Sequence, residues 1–163
     1  MSKTMVRSTA GRIRVGVADM AVTDGDEPVV TSGLGSCVAV VIHDEEGRGG
    51  MLHAMLPEAP PDSDRDAKYV DTGIAALLDE LTSMGTDPSD VTAKLAGGAS
   101  MLKIGNGSPV GEKNVAATEA VLSDLGIDVV DRRTGGDAGR SVSYDPTTGD
   151  VTIRTVDSKE VTI

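Results

Sequence analysis

Short runs of β-branched and aliphatic residues dominate the chain and predict mainly β structure. Residues 38–42 (VAVVI) are all apolar, which is typical of a strand buried on both faces. Residues 13–22 begin with alternating apolar and polar positions and predict a first strand. By the same criteria, further strands are expected at 29–31, 51–56, 91–96, 127–133, 141–144 and 151–156, the last two joined by the turn DPTTG at 145–149.

Two segments show helical periodicity instead. Between about 66 and 84, apolar residues recur at helical spacing, and Gly85 ends the pattern. A second segment, about 113–125, carries its apolar residues on one side and stops at Gly126. Strand pairs outnumber helices and the helices are far apart, which favours an α+β fold over a doubly wound one. We expect residues 12–163 to form a single-domain layered α/β sandwich with a mixed, largely antiparallel sheet, preceded by a flexible N-terminus at 1–11.

The composition narrows the classes of function. The 163 residues carry a net charge of −11, whereas phosphate binding needs clustered Lys and Arg, so nucleic acid is not expected as a partner. Acidic residues are spread along the whole chain, and this pattern predicts a halophilic protein whose surface charges are screened at high salt. The apolar runs are too short to cross a membrane and the N-terminus lacks the apolar core of a secretory signal. We therefore expect a cytoplasmic protein without direct membrane insertion.

The chain's one cysteine, Cys37, is a candidate nucleophile. A small buried hydrophobic residue is the ordinary interpretation of such a cysteine. Here Gly33, Gly35 and Ser36 precede it, so a substrate carbonyl could approach the sulfur closely. Backbone amides near Gly35 and Ser36 could then bind an oxyanion. We expect Cys37 to be solvent-reachable and reactive, with a base beside it, because a thiol of ordinary pKa is little ionised at neutral pH.

The two histidines, His43 and His53, lie on either side of the loop at 44–50. In a hairpin, the returning strand runs back beside the start of the outgoing strand, so His53 can lie next to Cys37. His43 follows Cys37 on one strand at a distance of roughly 20 Å, which is too far to touch the thiol. Geometry therefore selects His53 as the base and makes His43 a residue of the hairpin edge.

A third group is expected to orient the imidazole of His53. Thr31, Ser36 and Asp44 are all candidates, and their spacing does not choose among them. Other chemistries lack their ligands. The Gly-rich run at 97–111 has no GK[ST] of a phosphate loop, and the cysteine and two histidines supply fewer than the four ligands of a typical zinc site. We therefore expect neither a metal nor a cofactor.

At this point the motifs resemble a known family. The chain is similar to the CheD family of chemoreceptor glutamine deamidases in TSGLGSCVAVVIHD (31–44) and GGMLHAMLP (49–57). Three further motifs follow in the family's order, namely AKLAGGASML (93–102), VGEKN (110–114) and GGxxGR (135–140). The resemblance extends over nearly the whole chain, from about 15 to 156.

This resemblance implies a catalytic triad of Cys37, His53 and Thr31, with Thr31 as the orienting residue. It implies a cysteine amidohydrolase of the protein-glutamine glutaminase type, which converts receptor glutamines to glutamate and releases ammonia. It also implies an α/β sandwich like the catalytic domains of glutamine-deamidating toxins. No metal or organic cofactor is implied.

The implied partners are methyl-accepting chemotaxis receptors, as substrates, and a CheC-type phosphatase. The alternative is a non-catalytic regulatory module that binds and activates such a phosphatase. One position departs from the family pattern, because Lys113 stands where an arginine usually precedes the matched Asn114. A lysine does not reproduce the bidentate contacts of an arginine.

Overall fold

A computed structural model describes residues 7–9, 11–100 and 109–163. Within these ranges, eleven strands form two sheets and two α-helices cover one of them. The segment 103–111, which the sequence indicated to be a loop, lies partly outside the described residues. Neither helix in the described ranges is long and apolar enough to span a membrane.

The first sheet has six strands, of which only β2 and β4 pair in parallel. Their spatial order is β1 (Arg7–Thr9), β2 (Arg12–Arg14), β4 (Val29–Leu34), β9 (Arg140–Tyr144), β10 (Val151–Thr155) and β11 (Glu160–Thr162).

The second sheet has five strands and contains the central hairpin, β5–β6. Its order is β3 (Asp19–Thr23), β6 (Gly49–Ala54), β5 (Val38–His43), β7 (Thr92–Gly97) and β8 (Asp128–Thr134), and only β7 and β8 run parallel. The pairing of the hairpin extends from Val38 opposite Ala54 to His43 opposite Gly49.

The two helices, α1 (Val70–Ser83) and α2 (Val110–Asp124), pack side by side on the five-stranded sheet. Each is followed by a glycine with positive φ, Gly85 after α1 and Gly126 after α2, as expected where a helix must reverse into a strand. Helix α1 approaches the sheet closely, since a Cβ on Gly73 would lie 2.7 Å from the side chain of Leu52.

The molecule therefore has three layers, with the five-stranded sheet in the middle. Strand β5 is buried on both faces, which explains its unbroken apolar sequence. Val38, Val40 and Ile42 pack against the helices, whereas Ala39 and Val41 face the six-stranded sheet. The expected α+β sandwich with a largely antiparallel arrangement is confirmed.

The first predicted strand is wrong as a single element. The chain breaks after β2 and enters the other sheet as β3, with Ala18 in the left-handed region at φ 60°. The amide of Ala18 donates to the carbonyl of His53, which starts the pairing of β3 with β6. The apolar residues on both sides of the break looked like one alternating run because each segment places one face in the same inter-sheet core.

Chain ends and helix starts also differ in detail from the sequence pattern. Arg7–Thr9 pairs with β2, while the rest of the segment 1–10 lies outside the described residues. Strand β11 was not expected. Helix α2 begins at Val110, before the predicted start at about residue 113.

Candidate active site

Cys37 and His53 lie on the same face of the five-stranded sheet. His53 is opposite Ala39 in the β5–β6 hairpin, and Cys37 comes two residues before Ala39. Side chains two residues apart on a strand share a face, which here is the face toward the six-stranded sheet. Diagonal neighbours in an antiparallel pair have backbones about 7–8 Å apart, a distance that long side chains bridge. The hairpin therefore places the thiol and the imidazole as diagonal neighbours on one face of the sheet.

Thr31 reaches the same space from the opposite sheet. It occupies an inward-facing position of β4 and is 5% exposed, while His53 is fully buried at 0%. The hydroxyl oxygen of Thr31 lies 2.7 Å from Nδ1 of His53 and 2.7 Å from the backbone carbonyl of Val15. The Thr31 side chain thus connects the imidazole of His53, in the five-stranded sheet, to the main chain at Val15, next to β2 of the six-stranded sheet.

These two hydrogen bonds determine the tautomer of His53. A carbonyl can only accept, so the Thr31 hydroxyl donates its proton to Val15. The hydroxyl oxygen must then accept from His53, which places the imidazole proton on Nδ1. Nε2 is left with its lone pair, and among the described residues this buried atom has no hydrogen-bond partner. The arrangement leaves Nε2 as an available base.

Burial also keeps the imidazole neutral. It lowers the pKa of His53 from 6.5 to about 4, because the charged ring would lose its hydration without gaining a counter-ion. At neutral pH, Nε2 is therefore unprotonated and able to take a proton.

Cys37 is half-buried, directly before β5. Burial raises the pKa of its thiol, and its own backbone amide opposes this rise only in part. The resting thiol is consequently protonated at neutral pH, so the site holds a neutral acid beside a neutral base. To act as a nucleophile, such a thiol would need a base that takes its proton.

The backbone around Cys37 is held by the end of β7. The carbonyl of Cys37 accepts from the amide of Gly98 at 2.8 Å, and that of Gly35 accepts from the amide of Ala99 at 2.9 Å. A Cβ on Gly97 would lie 2.4 Å from the carbonyl oxygen of Cys37, and Gly97 has a φ of +100°. The GGA motif of the sequence is thus required by the close approach of two backbones.

The residues predicted to bind an oxyanion, Gly35 and Ser36, lie in this loop, but their amides differ in whether they are already hydrogen-bonded. The amide of Gly35 donates to the carbonyl of Gly33 at 3.1 Å and so already has a partner. The amides of Ser36 and Cys37 are therefore the better candidates for binding an oxyanion. Ser36 is half-buried, and its carbonyl accepts a hydrogen bond from the side chain of Asn114.

Asp44, another of the three candidate orienting residues, has its hydrogen-bond partners elsewhere. Its carboxylate accepts from Arg48 at 3.1 Å and from the hydroxyl of Thr86 at 3.0 Å, in the loop beyond the far end of β5. His43 also lies at that end, with its ring 5.8 Å from the ring of Tyr144. Neither residue is brought to Cys37.

Two cationic residues and a buried asparagine complete the neighbourhood. The guanidinium of Arg140 donates to the carbonyls of Gly97 and Gly135, so it holds loops rather than facing open space. Lys113 is exposed on α2. Asn114 is fully buried, and its side chain donates to backbone carbonyls just before β5 and just after β6. The sequence indicated this residue only by its place in the motif VGEKN. In the described part of the chain, no cluster of three acidic, cysteine or histidine side chains could hold a metal ion.

The fold and site define a layered α+β protein with a cysteine, a histidine and a threonine assembled between two sheets. The family model for CheD chemotactic sensory transduction matches residues 55–155. The probable chemoreceptor glutamine deamidase CheD of Natronomonas pharaonis is 39% identical over 159 residues, covering 95% of each chain. The chemoreceptor glutamine deamidase CheD of Thermotoga maritima is 40% identical over 147 residues, covering 90% of this chain and 93% of its own. The chain belongs to the CheD family, and the resemblance drawn from its motifs is confirmed.

The family model begins two residues after His53, whereas the alignment with the Natronomonas protein spans nearly the whole chain, including the segment 31–53. Among solved structures, the crystal structure of the hypothetical protein YfiH of Bacillus licheniformis has a TM-score of 0.50 at 16% identity. The match covers 73% of this chain and 51% of that one. At this identity the likeness concerns the fold alone.

Proposed function

We propose that this protein is a chemoreceptor glutamine deamidase that uses Cys37 as its nucleophile and His53 as its general base. The observation that carries the proposal is the hydrogen-bond chain from His53 through Thr31 to Val15. It leaves Nε2 unprotonated, buried and, among the residues that the structure describes, without a hydrogen-bond partner. The names of the full-length relatives support the choice of a receptor glutamine as the substrate.

The first half of the reaction forms a thioester. Nε2 of His53 takes the thiol proton as the sulfur of Cys37 attacks the side-chain carbonyl carbon of glutamine. The amides of Ser36 and Cys37 bind the oxygen of the tetrahedral intermediate. The imidazolium then returns the proton to the amide nitrogen, the carbon–nitrogen bond breaks and ammonia leaves.

The second half hydrolyses that thioester. A water molecule gives a proton to Nε2 and attacks the acyl carbon, and the carbon–sulfur bond breaks. The proton on His53 passes to the departing sulfur, which restores the thiol and leaves glutamate. Proton transfer by a positioned histidine contributes about 10²- to 10⁴-fold to such a rate.

Exposed apolar side chains around the site support a protein substrate over free glutamine. We define an apolar rim by Val17, Leu56, Val110 and Val156, which are 52%, 36%, 42% and 78% exposed. Val17 precedes the residue bonded to the carbonyl of His53, and Leu56 comes three residues after His53. Val110 is the first residue of α2, next to the loop that holds Cys37. The amide of Val156, just after β10, donates to the carbonyl of Gly139, just before β9. Exposed apolar side chains that neighbour residues of the site favour docking of another polypeptide.

Incubation with cytoplasmic fragments of chemotaxis receptors tests the proposal. Peptide mass spectrometry should detect glutamines converted to glutamate, with release of an equal amount of ammonia. The Cys37→Ala variant should produce neither, and a His43→Ala variant serves as a matched control because His43 lies at the far end of β5. If the wild-type protein left every receptor glutamine intact, the proposed function would be wrong.

The family resemblance also motivates a second partner, a CheC-type phosphatase that would bind at the apolar rim in the cytoplasm. Binding of such a phosphatase by the Cys37→Ala variant, measured by calorimetry, tests this part separately. Binding and phosphatase activation without deamidation by the wild type would favour the regulatory module over the enzyme.

A further inference from the structure

The β5–β6 hairpin opens at the end that carries the active site. Its last pair is Val38 opposite Ala54, and Cys37 and Met55 come next on the two strands. Beyond this pair the chains diverge, because the amides of Met55 and Leu56 both donate to the carbonyl of Lys68. The ladder therefore supplies no bond between the strands at the point where the nucleophile begins.

Asn114 occupies this gap. Its side-chain nitrogen donates to the carbonyl of Ser36 at 2.8 Å and to the carbonyl of Met55 at 2.9 Å. The first carbonyl belongs to the peptide bond that leads into Cys37, and the second lies two residues after His53. The carboxamide of Asn114 thus connects the chain segment that leads into Cys37 with the segment that follows His53. It does so where the strands no longer pair with each other.

Among the described residues, only the nitrogen of the Asn114 side chain has hydrogen-bond partners. Two carbonyl partners assign the nitrogen to this position, because a carbonyl can only accept. The Oδ1 atom is buried and, within the described ranges, has no hydrogen-bond partner. An asparagine that served only to satisfy its own polar groups would not leave its acceptor unpaired.

Asn114 is buried because two glycines, Gly98 and Gly111, let helix α2 pack closely against the loop beside Cys37. A Cβ on Gly111, one helical turn earlier, would lie 2.3 Å from the carbonyl oxygen of Ala99. A Cβ on Gly98 would lie 2.3 Å from the side chain of Val115. The first turn of α2 therefore packs directly against the loop that holds Cys37, and Asn114 projects from that turn toward the open hairpin end.

We propose that Asn114 is a positioning residue, which sets the distance between Cys37 and His53 by joining the carbonyls of Ser36 and Met55. This inference rests on the proposed deamidase function but concerns a residue outside the triad. Without this bridge the thiol and imidazole remain present but shift relative to each other. A displacement of about 1 Å in such a pair lowers the rate by about 10²-fold.

The experiment compares Asn114→Ala with Thr118→Val as a matched control. Thr118 is also fully buried on α2, and its hydroxyl donates to the carbonyl of Asn114 within the helix, with no bond to the hairpin. Both substitutions remove buried hydrogen bonds from one helix, so both should lower the melting temperature. Only Asn114→Ala should lower kcat for deamidation, by about 10²-fold, with KM changed less than about threefold.

A second readout does not depend on the receptor. Iodoacetamide labelling of Cys37, followed against pH, reports how well His53 takes the thiol proton while the sulfur attacks the reagent. Labelling of Asn114→Ala should shift toward the profile of His53→Ala, while Thr118→Val should keep the wild-type profile. Wild-type kcat and a wild-type labelling profile in folded Asn114→Ala would overturn the inference.

Two further measurements cover other outcomes. Should Asn114→Ala fail to fold, Asn114→Asp keeps the side-chain shape with at most one donor and should show the same loss of kcat and the same shift in labelling. In the wild-type protein, both side-chain amide protons of Asn114 should exchange slowly with solvent, and fast exchange would overturn the bridge itself. If the wild type deamidates nothing, the proposed function is refuted, while a shifted labelling profile of Asn114→Ala would still support the positioning role.

Discussion

Removal of the Thr31 hydroxyl should slow the reaction without removing either reacting group. Thr31→Val keeps the shape of the side chain and deletes an oxygen that lies 2.7 Å from each of two partners. The change leaves Nδ1–H of His53 and the carbonyl of Val15 buried without this partner, at a cost of about 1–3 kcal/mol in unfolding free energy for each group. It also removes the preference for the tautomer with Nε2 unprotonated.

The kinetic effect follows from the same bond. A hydrogen bond worth about 1.5 kcal/mol changes the ratio of the two tautomers by about tenfold, and loss of ring orientation adds to that factor. We expect kcat to fall by about 10- to 10²-fold, with little change in KM because Thr31 does not contact the substrate in the proposed mechanism. Thr31→Ala should behave like Thr31→Val, while Thr31→Ser, which retains the hydroxyl, should be milder.

Three measurements check this reasoning. Deamidation kinetics give kcat and KM for the three variants, and iodoacetamide labelling shows that Cys37 remains accessible in each. Nitrogen NMR of the imidazole reports the tautomer directly, and the wild type should carry its proton on Nδ1. Wild-type kcat in Thr31→Val, or a proton on Nε2 in the wild-type protein, would reduce the triad to a Cys37–His53 dyad.

The remaining predictions concern the reacting pair, pH and salt. Cys37→Ala and His53→Ala should each abolish deamidation, and the double variant should be little worse, because the two groups act as one unit. His43→Ala should retain most activity. Loss of activity in His43→Ala but not in His53→Ala would contradict the hairpin geometry. Because burial lowers the pKa of His53 to about 4 from 6.5, the unfolded chain binds this proton first as the pH falls. The free energy of unfolding of the wild type should therefore fall by about 3 kcal/mol between pH 6.5 and about 4 relative to that of His53→Gln. Urea titrations that show the same pH dependence of this free energy in both proteins would contradict the prediction. With a net charge of −11, the melting temperature should be higher in about 2 M KCl than in about 0.1 M, and an unchanged or lower value would exclude the halophilic interpretation.

Local pattern was sufficient to predict the central hairpin. Strand β5 is apolar at almost every position because it is covered on both faces, and this signal needs no tertiary information. The hairpin loop then determines which histidine returns toward Cys37. The neighbourhood of Cys37 and His53 was therefore predictable from a few residues of spacing.

The contacts between the two sheets were not predictable in the same way. Thr31 lies on β4, in the other sheet, so its distance from His53 depends on how the layers face each other. Spacing left three hydroxyl or carboxylate candidates equal, and only the family resemblance chose one. The break at Ala18 escaped notice because both flanking segments contribute apolar residues to a single core.

The contacts of Asn114, on helix α2, were likewise not predictable from the local sequence. A polar residue within a helix is ordinarily assigned to the solvent face, and nothing local indicates that two backbone carbonyls lie beneath it. The informative signal was the pair of glycine motifs, at 97–98 and at 111, since each lacks a side chain where backbone must approach. Glycines at both sides of one contact predict proximity between segments that are distant in sequence.

A threonine in the proposed orienting position has a consequence for the charge of the site. A carboxylate in place of Thr31 would favour the protonated imidazole and raise the pKa of His53. The hydroxyl instead accepts from Nδ1 and donates onward to Val15, so it selects the tautomer without stabilising a charge on the ring. With the pKa of the thiol raised and that of the imidazole lowered, proton transfer in the proposed mechanism should occur only as the sulfur attacks the substrate carbonyl. Such a site depends on short buried hydrogen bonds, which salt screens far less than the separated surface charges of this acidic protein.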